Sequence, residues 1–189
     1  DTLKELLEYK MADTIANWLL KQPLCVEIGK TILVCHAGLY PLWTPKKALT
    51  LSNSVSKILQ SKDWRVSLKK VYGNSPTRWN PKDKKFDRFR FIVNAFTRMR
   101  YLNKHCQLDF SSKGSIETEY SDTLIPWFNH PAIKNKTHTI LFGHWSAIGA
   151  AKRSLSVSLD GGCVWGGELC AVNTQSMEIT RDRKSTRLN

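Results

Sequence analysis

Thr31-Ile32-Leu33-Val34-Cys35-His36-Ala37-Gly38 is the most informative stretch of this chain. From Ile32 to Cys35 it is continuously apolar, as a strand buried on both faces should be. It then ends in a histidine beside two small residues. The same layout recurs at 138–145, where His138-Thr139-Ile140-Leu141-Phe142 is followed by Gly143-His144-Trp145. In α/β sheets, ligands bind beyond the carboxyl ends of the strands. A histidine placed there presents its imidazole to the crevice, and a neighbouring glycine lets other groups come close. Two such histidines on neighbouring strands could hold a divalent metal, since neutral imidazole suits Mn, Fe, Zn, Co or Ni. His36 and His144 are therefore the candidate metal ligands. A lone strand-end histidine is more often a hydrogen-bonded structural residue; the pairing is what favours ligation. Two imidazoles do not complete a site. Asp160 is the best carboxylate candidate, although it looks equally like a turn residue before Gly161-Gly162. His105, in a turn, and His130, before Pro131, read as surface residues, and His138 as the start of a strand.

On either side of these strands the patterning is clear. Residues 2–21 have helical spacing, and Pro23 ends them. A hairpin at 25–28 and 31–35 turns at Gly29-Lys30. Helices are expected at 46–60, 63–72 and 87–97, the last with Phe89, Ile92, Val93 and Phe96 on one face. Residues 73–81 form a loop rich in helix breakers. At Arg98-Met99-Arg100-Tyr101 the period changes, which predicts a hairpin turning near Asn103-Lys104-His105. If 98–101 is extended, Arg98 and Arg100 face the same way and could fork phosphate oxygens. If the helix continues, Arg100 falls on the apolar stripe; a third reading leaves both arginines solvated on the hairpin. Residues 111–122 read as a polar loop, and 124–128 as a short element around Pro126-Trp127. Strands follow at 155–160, 167–173 and 176–180, the first two joined by the glycine-rich DGGCVWGG. With no repeat and no linker, residues 1–180 read as one α/β (α+β) domain. The tail at 181–189, RDRKSTRLN, is charged and pattern-free and is expected to be disordered and non-native.

Composition sets the outer limits. Hydrophobic residues make up 41% of the chain, which is globular and not disordered. No apolar stretch is long enough to span a membrane, and the first ten residues are no signal peptide. No initiating methionine is present, so the chain reads as processed or as a fragment. Five cysteines without a CxxC pair argue against zinc-ribbon or thioredoxin chemistry and fit a reducing cytoplasm. The net charge of +13 attracts phosphates, on nucleic acid or on small substrates. That charge is spread along the chain, and neither a recognition helix nor a clustered basic stripe is visible, so nucleic acid is not the expected partner.

CHAGLYP (35–41), YGNSPTRWNP (72–81), RFRFIVNAFTRMRY (88–101), FGHWS (142–146) and LDGGCVWGGELCAV (159–172) together resemble the bacterial symmetrical bis(5′-nucleosyl)-tetraphosphatases. More widely, the histidine motifs resemble those of the calcineurin-like metallophosphoesterases. The resemblance implies a metallophosphoesterase-type two-layer β-sandwich flanked by helices, with two metals activating a hydroxide for in-line attack on phosphorus. It implies hydrolysis of diadenosine tetraphosphate to two ADP, with Mn²⁺ or Co²⁺ as the metal. It makes His36 and His144 ligands of one metal and assigns Arg98 and Arg100 to phosphate. The family's Asp-x-His, Gly-Asp and Gly-Asn-His-Asp motifs do not occur. The chain is therefore expected to be the C-terminal part of the catalytic domain, with N-terminal strands missing, catalytic residues elsewhere, and no activity alone. Two alternatives stand beside this reading. One is a relative of the Ser/Thr protein phosphatases, against which the FTRMR, GHW and GCVWGG set argues. The other is a non-catalytic basic nucleic-acid-binding domain.

Overall fold

Residues 4–118 and 123–183 are described by a computed structural model. The helices are α1 (Lys4–Glu8), α2 (Ala12–Leu20), α3 (Pro45–Leu59), α4 (Trp64–Val71) and α5 (Lys85–Arg98). The strands are β1 (Cys25–Ile28), β2 (Ile32–Cys35), β3 (Tyr101–Asn103), β4 (Leu108–Asp109), β5 (Leu124–Pro126), β6 (Thr139–Phe142), β7 (Ala151–Lys152), β8 (Ser156–Ser158), β9 (Asp160–Gly161), β10 (Glu168–Val172) and β11 (Ile179–Arg183).

The continuous apolar run of β2 is explained by what covers each face. Leu33 and Cys35, with Ile140 and Phe142 of β6, join the large core built with Leu51 and Val55 of α3 and Phe89, Ile92 and Phe96 of α5. The alternate residues Ile32 and Leu141, with Val157 of β8, pack with Val172 of β10 and Ile179 of β11. Helices therefore cover one side of a five-stranded sheet, ordered β1-β2-β6-β8-β7, and the sheet β11-β10-β9 lies against the other. The mixed α/β architecture is the one expected. A third small sheet, β4-β3-β5, follows α5 and adds Leu102 and Leu108 to the helix-side core.

Local chemistry fixes the elements that carry the site. Thr44 caps α3, its Oγ1 accepting from the Lys47 amide at 3.2 Å, and Pro45 occupies the first turn, where its missing N–H costs nothing. Ser52, buried in the same helix, accepts from the amides of Leu24 (3.1 Å) and Cys25 (3.0 Å) and so ties α3 to the start of β1. Cys25 then faces Cys35 across the hairpin, with the two sulfurs 3.4 Å apart. The hydrogen bond to Cys25, and then burial, raise the Cys35 thiol well above its ordinary pKa.

Several expectations are corrected. The hairpin after α5 exists as β3 and β4, but Arg98 is the last residue of the helix and not part of an extended run. Met99 turns the backbone extended (ψ 135°), which ends the helix before Arg100 could fall on its apolar stripe. His130 is buried and not on the surface: its Nε2–H donates to the Asn103 carbonyl at 3.1 Å, and its Nδ1 accepts from the Ala132 amide at 3.1 Å. The closing strand is Ile179–Arg183, three residues into the segment read as tail. The rest of that tail, 184–189, and part of the polar loop, 119–122, lie outside the described residues. Helical spacing in the first region is realised as two helices, but α1 and α2 bury none of their residues.

Candidate metal and phosphate site

Three parallel strands end side by side. Cys35 of β2 pairs with Phe142 of β6, which pairs with Ser158 of β8. One residue past that row, the Gly143 amide donates to the His36 carbonyl and the Leu159 amide to the Phe142 carbonyl, both at 2.8 Å. The chain thus delivers His36, His144 and Asp160 to one edge of the sheet. The His36 and His144 rings stand 5.1 Å apart between centroids, tilted by 52°.

His144 adopts a φ of 65°. This left-handed conformation is uncommon for a residue with a Cβ. Strain of that kind persists only where the surroundings enforce it, and it clusters at functional sites. Here the enforcement is visible. The Arg98 backbone is hydrogen-bonded to the His144 ring, and Arg100 Nη2 donates to the His144 carbonyl at 3.3 Å. The ring's Nε2 is buried and has no partner. An imidazole fixed through one nitrogen, with the second left free, has the geometry of a metal-ligating histidine.

The electrostatics agree. Burial lowers the His144 pKa to about 4, with Arg100 and then His36 adding to the effect, and the Arg98 backbone and Asp160 opposing it. Burial also lowers His36, against the pull of Asp160 and with the push of Arg100. Both rings are therefore held neutral near pH 7, the form that binds metal.

The two arginines part company. Arg100 reaches the histidine pair, its Nε is buried without a partner, and burial followed by the Arg98 charge lowers its pKa. The Arg98 side chain turns away to the 72–74 loop. It donates to Asn94 Oδ1 at 3.1 Å and Asn74 Oδ1 at 2.9 Å, and its guanidinium lies 4.4 Å from the Phe110 ring centroid. What Arg98 brings to the histidines is its backbone. Asp160 has the turn geometry, its Oδ1 accepting from the Gly162 amide at 3.0 Å, and its charge acts on His36, His144 and Arg100.

Two imidazoles, one with a free buried nitrogen, fit part of a divalent metal site. Among the described residues no group of three or more His, Cys, Asp or Glu is placed to complete one. An open, mainly apolar crevice of about 400 Å³ adjoins His36, with Val26, Val34, Leu141 and Leu159 in its wall. Sequence reasoning names the two histidines and Arg100, which the fold brings together. It misses the backbone role of Arg98 and its anchors Asn74 and Asn94, because those contacts depend on where α5 ends, which no residue type announces.

No family model matches the chain. Proteins named symmetrical bis(5′-nucleosyl)-tetraphosphatase do. The one from Neisseria gonorrhoeae is 39% identical over 181 residues, 96% of this chain and 65% of that protein. The one from Neisseria meningitidis serogroup A is 40% identical over 181 residues, with the same coverage of 96% and 65%. The one from Acidovorax ebreus is 39% identical over 186 residues, 97% of this chain and 66% of that protein. A crystal structure assigned provisionally as a diadenosine tetraphosphatase shares 18% identity at a TM-score of 0.35, covering 75% of this chain and 67% of that one. That likeness is too slight to bear on the fold. The chain spans just under two thirds of the length of the curated relatives it matches. Along 96% of its own residues, the chain is a homologue of the symmetrical bis(5′-nucleosyl)-tetraphosphatases.

Proposed function

We propose that this chain carries part of the active site of a divalent-metal-dependent hydrolase that splits diadenosine tetraphosphate symmetrically into two ADP. The observation that carries the reading is the free, buried Nε2 of His144 beside the His36 ring, 5.1 Å away between centroids. The names and 39% identity of the relatives point to the substrate. His36 and His144 would hold one ion of a pair, Mn²⁺ or Co²⁺ on imidazole chemistry. Such ions supply an activated water and neutralise charge on the phosphoryl oxygens.

The chain's own residues prepare that site. Burial and Arg100 keep both imidazoles unprotonated, so no proton competes with the ion near pH 7. The Arg98 backbone holds the His144 ring in register. Arg100 faces the same edge as the histidines with an unpartnered Nε and offers a fixed cation to a phosphoryl oxygen. Arg98 is the weaker phosphate ligand, since two asparagine oxygens already engage its guanidinium. The net charge of +13 draws a polyanion to the surface. The cysteines among the described residues are unbridged, which fits a reducing cytoplasm.

The test is ADP release from diadenosine tetraphosphate in Mn²⁺ or Co²⁺. The chain by itself is expected to release none, because among the described residues no carboxylate is placed to complete a site with the two imidazoles. Joined to the remaining third of one of its relatives, it is expected to turn over. Loss of that turnover in H36A and H144A supports the reading, and full activity in both overturns it.

A further inference from the structure

The segment DGGCVWGG, read from sequence as a connector between strands and as one of the motifs behind the family resemblance, makes an unusual surface. Cys163–Trp165 is a short 3-10 helix between two left-handed glycines, Gly162 (φ 72°) and Gly166 (φ 86°). Its base is fixed. A Cβ on Gly167 would lie 2.2 Å from the Gly161 carbonyl oxygen, and one on Gly161 would lie 2.5 Å from the Glu168 oxygen, so the two strands meet there with no room to slide. The amides of Trp165 and Gly167 both donate to the Gly162 carbonyl, at 2.8 and 3.0 Å. From this base Val164 and Trp165 project into solvent, 76% and 82% exposed, whereas Trp43, Trp127 and Trp145 are buried. An indole held out by a rigid turn stabilises nothing inside the fold, and exposed apolar surface beside a polar site marks a binding surface.

The turn stands beside the candidate site. It springs from Asp160, whose charge acts on both histidines and Arg100. Two residues of chain reach at most about 7 Å, which keeps Gly162 close to Asp160. A Cβ on Gly162 would meet the Ser146 Cβ at 3.7 Å, two residues past His144. Arg100, with an ion held by the neutral histidines, would take the charge of a polyphosphate, but these groups offer its attached bases no flat apolar surface. We propose that Trp165 is the stacking platform for a nucleobase of the ligand whose phosphates lie at Arg100. This rests on the hydrolase reading above. Because every base has a π face, such a platform tolerates many bases.

The experiment measures binding of ADP and of inorganic pyrophosphate to the Mn²⁺-loaded chain by calorimetry, in the wild type and in W165A, W165F and R100A. Circular dichroism confirms that each variant is folded. W165A is expected to weaken ADP about tenfold, the order of one lost base stack, and to leave pyrophosphate unchanged. W165F should retain most of the ADP affinity, and R100A should weaken both ligands. If W165A binds ADP as the wild type does, or loses both ligands equally, the platform is refuted while an R100A effect keeps the hydrolase reading. If the wild type binds neither ligand, the platform is refuted, and the hydrolase reading is decided separately by ADP release from the joined protein.

Discussion

His144 brings three constraints to one side chain: a left-handed backbone, a ring tied to the Arg98 backbone, and a buried nitrogen left free. The backbone strain can be separated from the proposed ligand role. H144G relieves the φ of 65° and H144A does not. H144G should therefore be the more stable by about 1 kcal/mol in urea unfolding, with both lacking the imidazole. The pH dependence follows from the lowered pKa. A histidine that binds protons less well folded than unfolded favours the unfolded state as pH falls. Stability should therefore be full above about 6.5, the ordinary histidine value, and should fall as pH drops towards about 4, the folded value. Urea midpoints at several pH values check this, and a flatter curve for H144N ties the effect to that ring. Gly38 is a second constrained position. Its φ is +138°, and a Cβ there would come within 2.4 Å of the Trp127 ring, so G38A should be strongly destabilising and displace Trp127.

Among the elements, the five-stranded sheet is the most legible in the sequence. Runs such as Ile32–Cys35 and Thr139–Phe142 leave little choice, since a strand covered on both faces uses apolar residues at nearly every position. The histidines are legible for the same reason, as polar residues placed where such a strand stops. The end of α5 is not. Residues 98–101 fit a helix or a strand by pattern, and the packing that stops the helix at Arg98 decides which arginine faces the histidines. His130 is misread from sequence because its partner Asn103, 27 residues away, comes to it only in the folded chain. Ser52 is hidden for a similar reason: a serine in mid-helix reads as solvated, yet it accepts two amides from the β1 entry, 27 and 28 residues away. S52A leaves both donors unsatisfied in the interior and should cost about 2 kcal/mol in chemical denaturation, with S54A, on the same helix, as the milder control.

Across the whole molecule, the helix-side core is deep and continuous while the opposite face of the five-stranded sheet is only partly covered. Val26 and Ile28 of β1 and Trp18 and Leu19 of α2 stand exposed. Apolar surface of this extent favours self-association. W18S/L19S should lower aggregation, measured by light scattering, without lowering the melting temperature, because Trp18 and Leu19 are 60% and 54% exposed.

The register of β2 and β6 brings the His36 and His144 rings together, and as a pair they should bind a divalent ion. A Co²⁺ titration of the chain, followed by visible absorption in the wild type, H36A and H144A, decides the matter. Ligand-field bands are expected in the wild type, and each substitution should weaken or remove them. Bands of the same position and affinity in all three proteins, or no bands in the wild type, would refute ligation by this pair.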